Sequence, residues 1–299
     1  MQSSLDKGAS IVQTAPKKWQ YFAIMIVVPL SVFADNTEPS AVSPPAQSRA
    51  SCTQESFTKT TEYRGDPSKW GKLFSIWGKH NIEQIGDPSA SGSLTRIWFA
   101  AGTYDPGSMF KQGKKTGGTG YATLLDGDGF ECAVLRYRLR FSDDFDFVRG
   151  GKLPGLAGGL RLSYPKLPRG GENGFTARLM WRERGGGEVY AYLLNTPKSG
   201  IYYGESIGRG SWSFLPGIWY SIEEQVVLNH PERDDGAIRV FVDGQLKLEA
   251  QGVRIRSGTN VRIDGLIFES FFGGNDPSWA TQRTVSIDFA DFALDGYVR

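Results

Sequence analysis

The sequence of 299 residues contains few of the side chains that bind metals or form nucleophilic triads. It has two histidines, His80 and His230, and two cysteines, Cys52 and Cys132. So few histidines leave little material for a Ser-His-Asp triad or a histidine-rich zinc site, and no Cys-x-x-Cys pair or Cys/His cluster occurs. We therefore expect no metal site in this protein.

The sequence also lacks a large excess of charge of either sign. Its 34 lysines and arginines nearly balance its 32 aspartates and glutamates, for a formal net charge of +2. Residues 1–34 hold three lysines and one aspartate, so the whole surplus lies there and the rest of the chain is neutral. A neutral body argues against a nucleic-acid partner, because such partners attract a basic surface.

The apolar run near the N-terminus is too short to span a membrane. The run, FAIMIVVPLSVF at residues 22–33, has 12 residues and contains Pro29, whereas a spanning helix needs about 20. Lysines precede the run and Ala34 follows it, a pattern typical of a secretory signal with cleavage after Ala34. We interpret residues 1–34 as the signal peptide of a secreted protein, with an uncleaved anchor as the alternative.

The remaining chain divides into a short linker and one folded domain. Residues 35–51 are rich in proline and serine, which favours a flexible linker. We expect the folded domain at residues 52–299, as a monomer, because no heptad or exposed apolar stripe indicates an oligomer. In a secreted protein, Cys52 and Cys132 suit a disulfide that ties the start of this domain to a central strand; two buried thiols are the alternative.

What the sequence has in abundance is glycine and alternating strand patterns. Thirty-eight glycines and 15 prolines favour many short strands and turns. In residues 133–141 (AVLRYRLRF), apolar side chains alternate with Arg136, Arg138 and Arg140, as in a strand with one buried face.

Other segments extend this pattern, and Asp243-Gly244 predicts the turn of a hairpin. Further strands are predicted at residues 94–100, 177–184, 188–194, 220–228, 238–242, 245–248, 261–269 and 284–294. No sustained helical period and no internal repeat occur. The sequence therefore predicts an all-β fold, a β-jelly roll sandwich of two antiparallel sheets whose concave face holds an extended chain.

Cationic side chains and tyrosines are concentrated around the centre of the domain. Lys152 lies in a segment that we interpret as a Gly/Pro-rich turn, directly after the strand with Arg136, Arg138 and Arg140, and Arg178 follows on a later strand. Near a pair of same-face tyrosines, these cations form a candidate groove for a polyanion. The alternative is that the arginines are solvated strand exteriors and the tyrosines are core or edge residues.

Four strings in this region resemble polysaccharide lyase family 14, which contains alginate lyases of molluscs and glucuronan-degrading lyases of algal viruses. The strings are GGKLPGLAGG at residues 150–159, Thr176-Ala177-Arg178, Tyr190-Ala191-Tyr192, and FFGGNDPSW at residues 271–279. The resemblance covers roughly residues 90–296. It implies a β-jelly roll and an eliminative cleavage of uronate polymers that needs no metal or other cofactor.

The resemblance also implies which residues carry the chemistry. The family's essential positions correspond to Lys152, Thr176, Arg178, Tyr190 and Tyr192. Two departures stand out: Thr176 replaces a serine of some members, which keeps the hydroxyl, and Ala157 occupies a position that is often aromatic. The second departure points to an altered subsite.

Elimination requires these residue types for physical reasons. The C5 proton of a 4-linked uronate becomes removable when a cation neutralises the adjacent carboxylate, and an acid must then protonate the departing C4 oxygen. We assign carboxylate binding to Lys152 and Arg178, orientation to Thr176, and proton transfer to Tyr190 or Tyr192, with base and acid left open. Candidate binding residues for neighbouring sugars are Arg136, Arg138, Arg140 and Asn275.

The sequence thus predicts a secreted polysaccharide lyase acting on alginate or glucuronan. A non-catalytic, lectin-like module that binds acidic glycans with the same fold is the alternative, and a glycosidase is a third possibility that would require two facing carboxylates. Proton transfer requires Lys152 and the tyrosines to converge on one point, whereas a binding module would spread them along a groove.

Overall fold

The computed structural model describes a set of ranges that begins near the predicted domain boundary. These are Cys52 and residues 56–86, 93–196 and 203–299. The predicted signal peptide (1–34) and linker (35–51) lie outside the described residues and stay predictions. Within the described ranges, no helix is long and apolar enough to cross a membrane.

Strands dominate the described chain. They are β1 (Thr58–Arg64), β2 (Gly71–Trp77), β3 (Ile82–Gly86), β4 (Ser93–Phe99), β5 (Thr119–Leu125), β6 (Cys132–Phe141), β7 (Gly150–Gly158), β8 (Phe175–Arg182), β9 (Gly187–Tyr192), β10 (Glu205–Ile207), β11 (Trp219–Val227), β12 (Gly236–Val242), β13 (Gln245–Val253), β14 (Ile263–Phe272) and β15 (Val285–Val298). The α-helices are short, α1 (Pro106–Lys111) and α2 (Leu160–Ser163). Single 3₁₀ turns occupy Pro67–Lys69, Lys79–Asn81, Glu183–Gly185 and Pro277–Trp279.

The strands form two antiparallel sheets. The eight-stranded sheet has the order β13-β12-β11-β6-β15-β4-β3, and β1 pairs with the second half of β15. The seven-stranded sheet has the order β10-β9-β8-β7-β14-β5-β2. The prediction of an all-β jelly-roll sandwich of two antiparallel sheets is confirmed.

The core lies between the sheets because each strand alternates its side chains. On β8, Leu179 and Trp181 belong to the main hydrophobic cluster, and Trp181 is fully buried. Its ring lies 6.2 Å from that of Phe99 and 5.8 Å from that of Phe141, both on the eight-stranded sheet, in edge-to-face geometry between centroids. The intervening residues of β8 therefore lie on the outer face of the seven-stranded sheet.

The segment expected to be a Gly/Pro-rich turn around Lys152 is instead the central strand β7. All nine of its residues are buried. Its glycines are required by close neighbours: a Cβ on Gly151 would lie 2.1 Å from Trp181 Cζ2, and one on Gly155 would lie 2.1 Å from the Ala177 carbonyl oxygen. Pro154 lies where the register between β7 and β8 shifts, a bulge that tolerates a residue without an N–H.

The predicted hairpin is present between β12 and β13. Asp243 and Gly244 both have positive φ, 51° and 74°, which is the backbone of the two-residue type I′ turn. The strand predicted at residues 133–141 is β6, and that at residues 188–194 is β9 with an earlier end.

The sequence left the state of the two cysteines open, and the structure shows them bonded. Cys52 and Cys132 form a disulfide with a Cα–Cα distance of 5.5 Å across a sequence separation of 80 residues. Because Cys132 is the first residue of β6, the bond ties the start of the domain to the eight-stranded sheet.

Candidate active site

Three adjacent strands of the seven-stranded sheet bring the five candidate catalytic residues together. Thr176 on β8 lies opposite Tyr192 on β9, Arg178 lies opposite Tyr190, and Lys152 on β7 lies opposite Met180 on β8. The residues alternate with core positions, so their side chains share the outer face of the sheet. The convergence expected of a proton-transfer site is therefore present.

Lys152 is held against two neighbours on this face. Its side chain is buried, with Nζ 2.9 Å from Met180 Sδ and 3.1 Å from the centroid of the Tyr190 ring. Burial lowers the pKa of Lys152 well below its usual range, and the positive charges of Arg178 and Arg182 lower the pKa further. Both effects favour the neutral amine of Lys152 over the ammonium.

The two tyrosines form an edge-to-face pair. Their ring centroids are 5.7 Å apart with an interplanar angle of 87°. The Tyr190 hydroxyl accepts the Gly204 N–H at 2.7 Å. Burial, with smaller contributions from the charge of the adjacent Tyr192 and a hydrogen bond with it, raises the pKa of Tyr190 to about 12. Tyr190 therefore keeps its proton, and Tyr192 is the more exposed residue of the pair.

Arg178 forms an ion pair with Glu269 of β14, and both side chains are nearly buried. Two buried polar atoms on the same face have no hydrogen-bond partner among the described residues, Thr176 Oγ1 and Arg178 Nε. Buried donors are ordinarily paired, because an unpaired one costs about 1–3 kcal/mol. A carboxylate bound on this face would supply the acceptors that these two groups lack.

Two polar residues of the core support the bulge that carries Lys152. Glu224 of β11 accepts the Leu156 N–H at 3.0 Å, and the Tyr137 hydroxyl of β6 donates to the Pro154 carbonyl oxygen at 3.2 Å. Burial raises the pKa of Glu224 to about 8, although the Leu156 N–H opposes this shift. The backbone next to Lys152 is thus hydrogen-bonded from inside the sandwich.

Four further residues belong to the site and were not assigned to it from the sequence: Met180, Arg182, Glu188 and Glu269. Glu188 is fully buried and forms ion pairs with Arg182 and Arg209. Alternation along β8 from Arg178, and along β9 from Tyr190, identifies the first three of the four once the strands are known. In the ranges that the structure describes, no three His, Cys, Asp or Glu side chains are close enough together to hold a metal ion.

The three arginines of β6 lie elsewhere. Arg136, Arg138 and Arg140 lie on the outer face of the eight-stranded sheet, because Leu135, Tyr137, Leu139 and Phe141 face the core. Each arginine forms an ion pair on that sheet; the carboxylate partners are Glu223 and Asp295 for Arg136, Asp291 for Arg138, and Asp288 for Arg140. The structure therefore corrects the expectation of one groove shared with Lys152: strand pairing places these arginines on the opposite sheet.

Asn275 lies on the exposed loop between β14 and β15. This loop starts beside the strand of Lys152, because the Gly273 N–H donates to the Gly150 carbonyl oxygen at 2.9 Å. Asn275 is thus on the rim of the face that carries the site, and its predicted contact with sugar stays a prediction.

Comparison with known proteins gives one family and a set of similar folds. A family model described as Polysaccharide lyase 14 matches residues 89–292. An alginate lyase from the marine animal Aplysia kurodai is 26% identical, with 79% of this chain and 98% of that chain covered and a TM-score of 0.65. An alginate lyase from a Chlorella virus is 17% identical (76% and 93% covered, TM-score 0.59). An endo-β-1,4-glucuronan lyase from the fungus Trichoderma reesei is 13% identical (80% and 96% covered, TM-score 0.53). The enzymes from the Chlorella virus and from Trichoderma reesei thus share the fold of this chain. No curated protein matches the chain.

Proposed function

The chain belongs to polysaccharide lyase family 14, and we propose that it cleaves 4-linked uronate polymers, alginate or glucuronan, by β-elimination to unsaturated uronate ends. One observation carries the proposal: Lys152, Arg178, Tyr190 and Tyr192 converge on one face, with Lys152 Nζ 3.1 Å from the Tyr190 ring centroid and the two tyrosine rings 5.7 Å apart. Proton transfer requires such convergence.

Arg178 and Thr176 bind the carboxylate of the sugar that reacts. The guanidinium is always charged, so it neutralises the carboxylate and stabilises the enolate-like intermediate that forms when C5 loses its proton. The unpartnered Arg178 Nε and Thr176 Oγ1 support this role, since both donors lack an acceptor in the described residues. The ion pair with Glu269 fixes the guanidinium of Arg178 in place.

Lys152 is the base. The sequence suggested a neutralising role, but a lysine whose pKa is lowered by burial and two arginines is better suited to accept a proton. Lys152 takes the C5 proton, the C4–O4 bond breaks as the C4=C5 double bond forms, and Tyr192 gives its proton to O4. The Tyr190 hydroxyl, which stays protonated, hydrogen-bonds Tyr192 and orients it.

The convergence of these groups disfavours the lectin-like alternative. The two carboxylates on this face, Glu188 and Glu269, are each held by arginines, which disfavours a glycosidase because that mechanism requires a carboxylic acid as proton donor. Alginate is the first substrate to test, since the relative from Aplysia kurodai is an alginate lyase.

We also propose that the protein acts outside the cell. The disulfide between Cys52 and Cys132 supports this, because disulfides persist in oxidising compartments. Sequencing the N-terminus of the protein recovered from culture medium tests the leader: a chain that begins at Asp35 supports cleavage after Ala34, and an intact leader contradicts it.

A substrate panel tests the activity. The full chain is incubated with alginate, glucuronan and an uncharged β-glucan, and the products are followed by ultraviolet absorbance and mass spectrometry. The proposal predicts absorbing, unsaturated ends from at least one uronate polymer and none from the glucan. Saturated products would indicate hydrolysis, and binding without cleavage would indicate a lectin-like module.

A further inference from the structure

A basic pocket adjoins the candidate active site on the outer face of the seven-stranded sheet. It has a volume of about 480 Å³ and is lined by Arg149, Arg182, Glu183, Gly186, Arg209, Gly210 and Trp279. Of these residues, only Arg182 contributes to the proposed elimination, because its charge helps to lower the pKa of Lys152.

The pocket is continuous with the catalytic cluster through Arg182. The Arg182 guanidinium lies 5.9 Å from the Tyr190 ring centroid, and Lys152 Nζ lies over the same ring. The Cα atoms of Arg178 and Arg182 are four residues apart on the same face of β8, about 13 Å at the usual rise of a strand. None of the five catalytic candidates lines the pocket, so we expect a sugar bound at Arg178 to leave it open.

Glu188 organises the cations of this pocket. Its carboxylate is fully buried and pairs with Arg182 and, at 2.9 Å, with Arg209 Nε. Arg209 also donates to Ser206 Oγ at 2.8 Å. With Arg149, the pocket holds three guanidinium groups against the carboxylates of Glu183 and Glu188, which leaves one positive charge in excess.

One donor of the pocket is unsatisfied. Arg182 Nε is buried and has no hydrogen-bond partner among the described residues. Together with Thr176 Oγ1 and Arg178 Nε, it makes three such donors on one face of β8. A chain of uronates that runs along this strand would place one carboxylate at Thr176 and Arg178 and a later carboxylate at Arg182. Arginine recognises carboxylates through paired N–H groups.

Trp279 also lines the pocket. The Arg149 guanidinium lies 5.0 Å from the Trp279 ring centroid and donates to Ser278 Oγ at 2.6 Å. Gly274 admits the indole, since it has a φ of +74° and a Cβ there would lie 2.1 Å from Trp279 Cγ. An aromatic surface beside guanidinium groups provides both an apolar contact for a sugar ring and charge for its carboxylate.

We propose that this pocket is a distal subsite that binds the carboxylate of a uronate residue of the same chain, beyond the sugars bound at Lys152. The proposal rests on the proposed function, because it assumes that the chain at Lys152 is a polyuronate. Its consequence is a preference for substrates long enough to reach from Arg178 to Arg209.

Cleavage of uronate oligomers of increasing length tests the subsite in the full chain. Arg209→Ala and Trp279→Ala are compared with Arg233→Ala, a control that removes an exposed arginine paired with Asp235 on the loop between β11 and β12. The ratio of kcat/KM for long chains to kcat/KM for the shortest chain cleaved falls about tenfold in Arg209→Ala, the size expected for one lost charge-assisted contact. The ratio also falls in Trp279→Ala, which loses an apolar contact with a sugar ring. The ratio is unchanged in Arg233→Ala. Equal ratios in all four proteins overturn the subsite.

Binding separates this test from the activity itself. In a Lys152→Ala background, calorimetry gives the Kd of each oligomer, and affinity increases with length until the pocket is filled. Arg209→Lys keeps a positive charge beside Glu188 and is used if Arg209→Ala does not fold; it lacks the guanidinium that binds a carboxylate through paired N–H groups. We expect the gain of affinity with length to be lost in Arg209→Lys and in Trp279→Leu. A gain that persists in both variants overturns the subsite. If wild-type protein cleaves no uronate polymer, the proposed function fails, and the same calorimetry still decides whether the pocket binds uronates.

Discussion

Lys152 Nζ lies 3.1 Å from the centroid of the Tyr190 ring, on the ring face. The two residues lie on one face of a sheet but have opposite pKa shifts. Burial and the charges of Arg178 and Arg182 lower the pKa of Lys152. The pKa of Tyr190 is raised to about 12, mainly by burial. The lowered pKa suits Lys152 to accept a proton, and the raised pKa keeps the proton on Tyr190, which orients the proposed acid Tyr192.

The pH dependence of the reaction follows from these shifts. Because the base is the neutral amine of Lys152, kcat/KM increases with pH through one ionisation that lies well below the usual lysine pKa of 10.5. The Tyr190 proton is lost only near pH 12, so the ionisation of Tyr190 causes no alkaline decline below that range. A profile measured on alginate checks this. A rate that falls as pH increases through the first ionisation would show that protonated Lys152 is required.

The two tyrosines differ in what their hydroxyls contact. Tyr192→Phe removes the proposed acid and lowers kcat by about 10²–10⁴-fold, the size typical of a lost general acid. Tyr190→Phe also leaves the Gly204 N–H unpaired, so it lowers stability by about 1–2 kcal/mol as well as kcat. Steady-state kinetics and urea unfolding of both variants measure this difference; equal kcat losses without any stability difference would contradict it.

The buried Glu224 makes stability depend on pH. Its folded-state pKa of about 8 lies above the usual glutamate value of 4.5, so the folded protein binds an extra proton between those values and stability falls as pH increases through that window. Relative to Glu224→Gln, the wild type loses about 2–3 kcal/mol between about pH 5 and about pH 7. Urea unfolding at several pH values checks this. Parallel stability curves for the two proteins would show that Glu224 is charged in the fold.

The eight-stranded sheet carries a separate ion-pair network. Asp288 is almost fully buried and pairs with Arg96 at 2.6 Å and with Arg140 at 2.8 Å. Asp288→Asn leaves two partly exposed arginines without their carboxylate and lowers stability by about 2 kcal/mol. Because this face lies on the opposite sheet from Lys152, KM for alginate stays the same. A raised KM with unchanged stability would show that polymer binds on this face.

The alternation of apolar and polar residues predicted much of the fold, because a strand with one buried face shows this pattern in its sequence. Residues 133–141 became β6 and residues 188–194 became β9. The strand β7 was missed because it is glycine-rich and buried on both faces, so its sequence does not alternate. Five catalytic candidates were identified through the family resemblance, and the structure brings them together.

Strand pairing could not be predicted from local patterns. Alternation shows that Arg136, Arg138 and Arg140 share a face, but not that β6 pairs with β11 and β15 on the sheet opposite Lys152. Glu269 reaches the site only because β14 pairs with β7, a contact between segments more than a hundred residues apart. Such partners depend on topology, which a single strand's sequence does not encode.

The role of Lys152 as the base of an elimination is the central claim about this protein. The decisive measurement is the initial rate of ultraviolet-absorbing product from alginate and from glucuronan for wild type and Lys152→Ala, with oligomer binding and circular dichroism as controls. We predict unsaturated ends from the wild type on at least one of the two polymers, and a loss of at least about 10²-fold in Lys152→Ala, which still folds and binds oligomer. A folded Lys152→Ala protein that forms unsaturated ends at the wild-type rate would contradict the account.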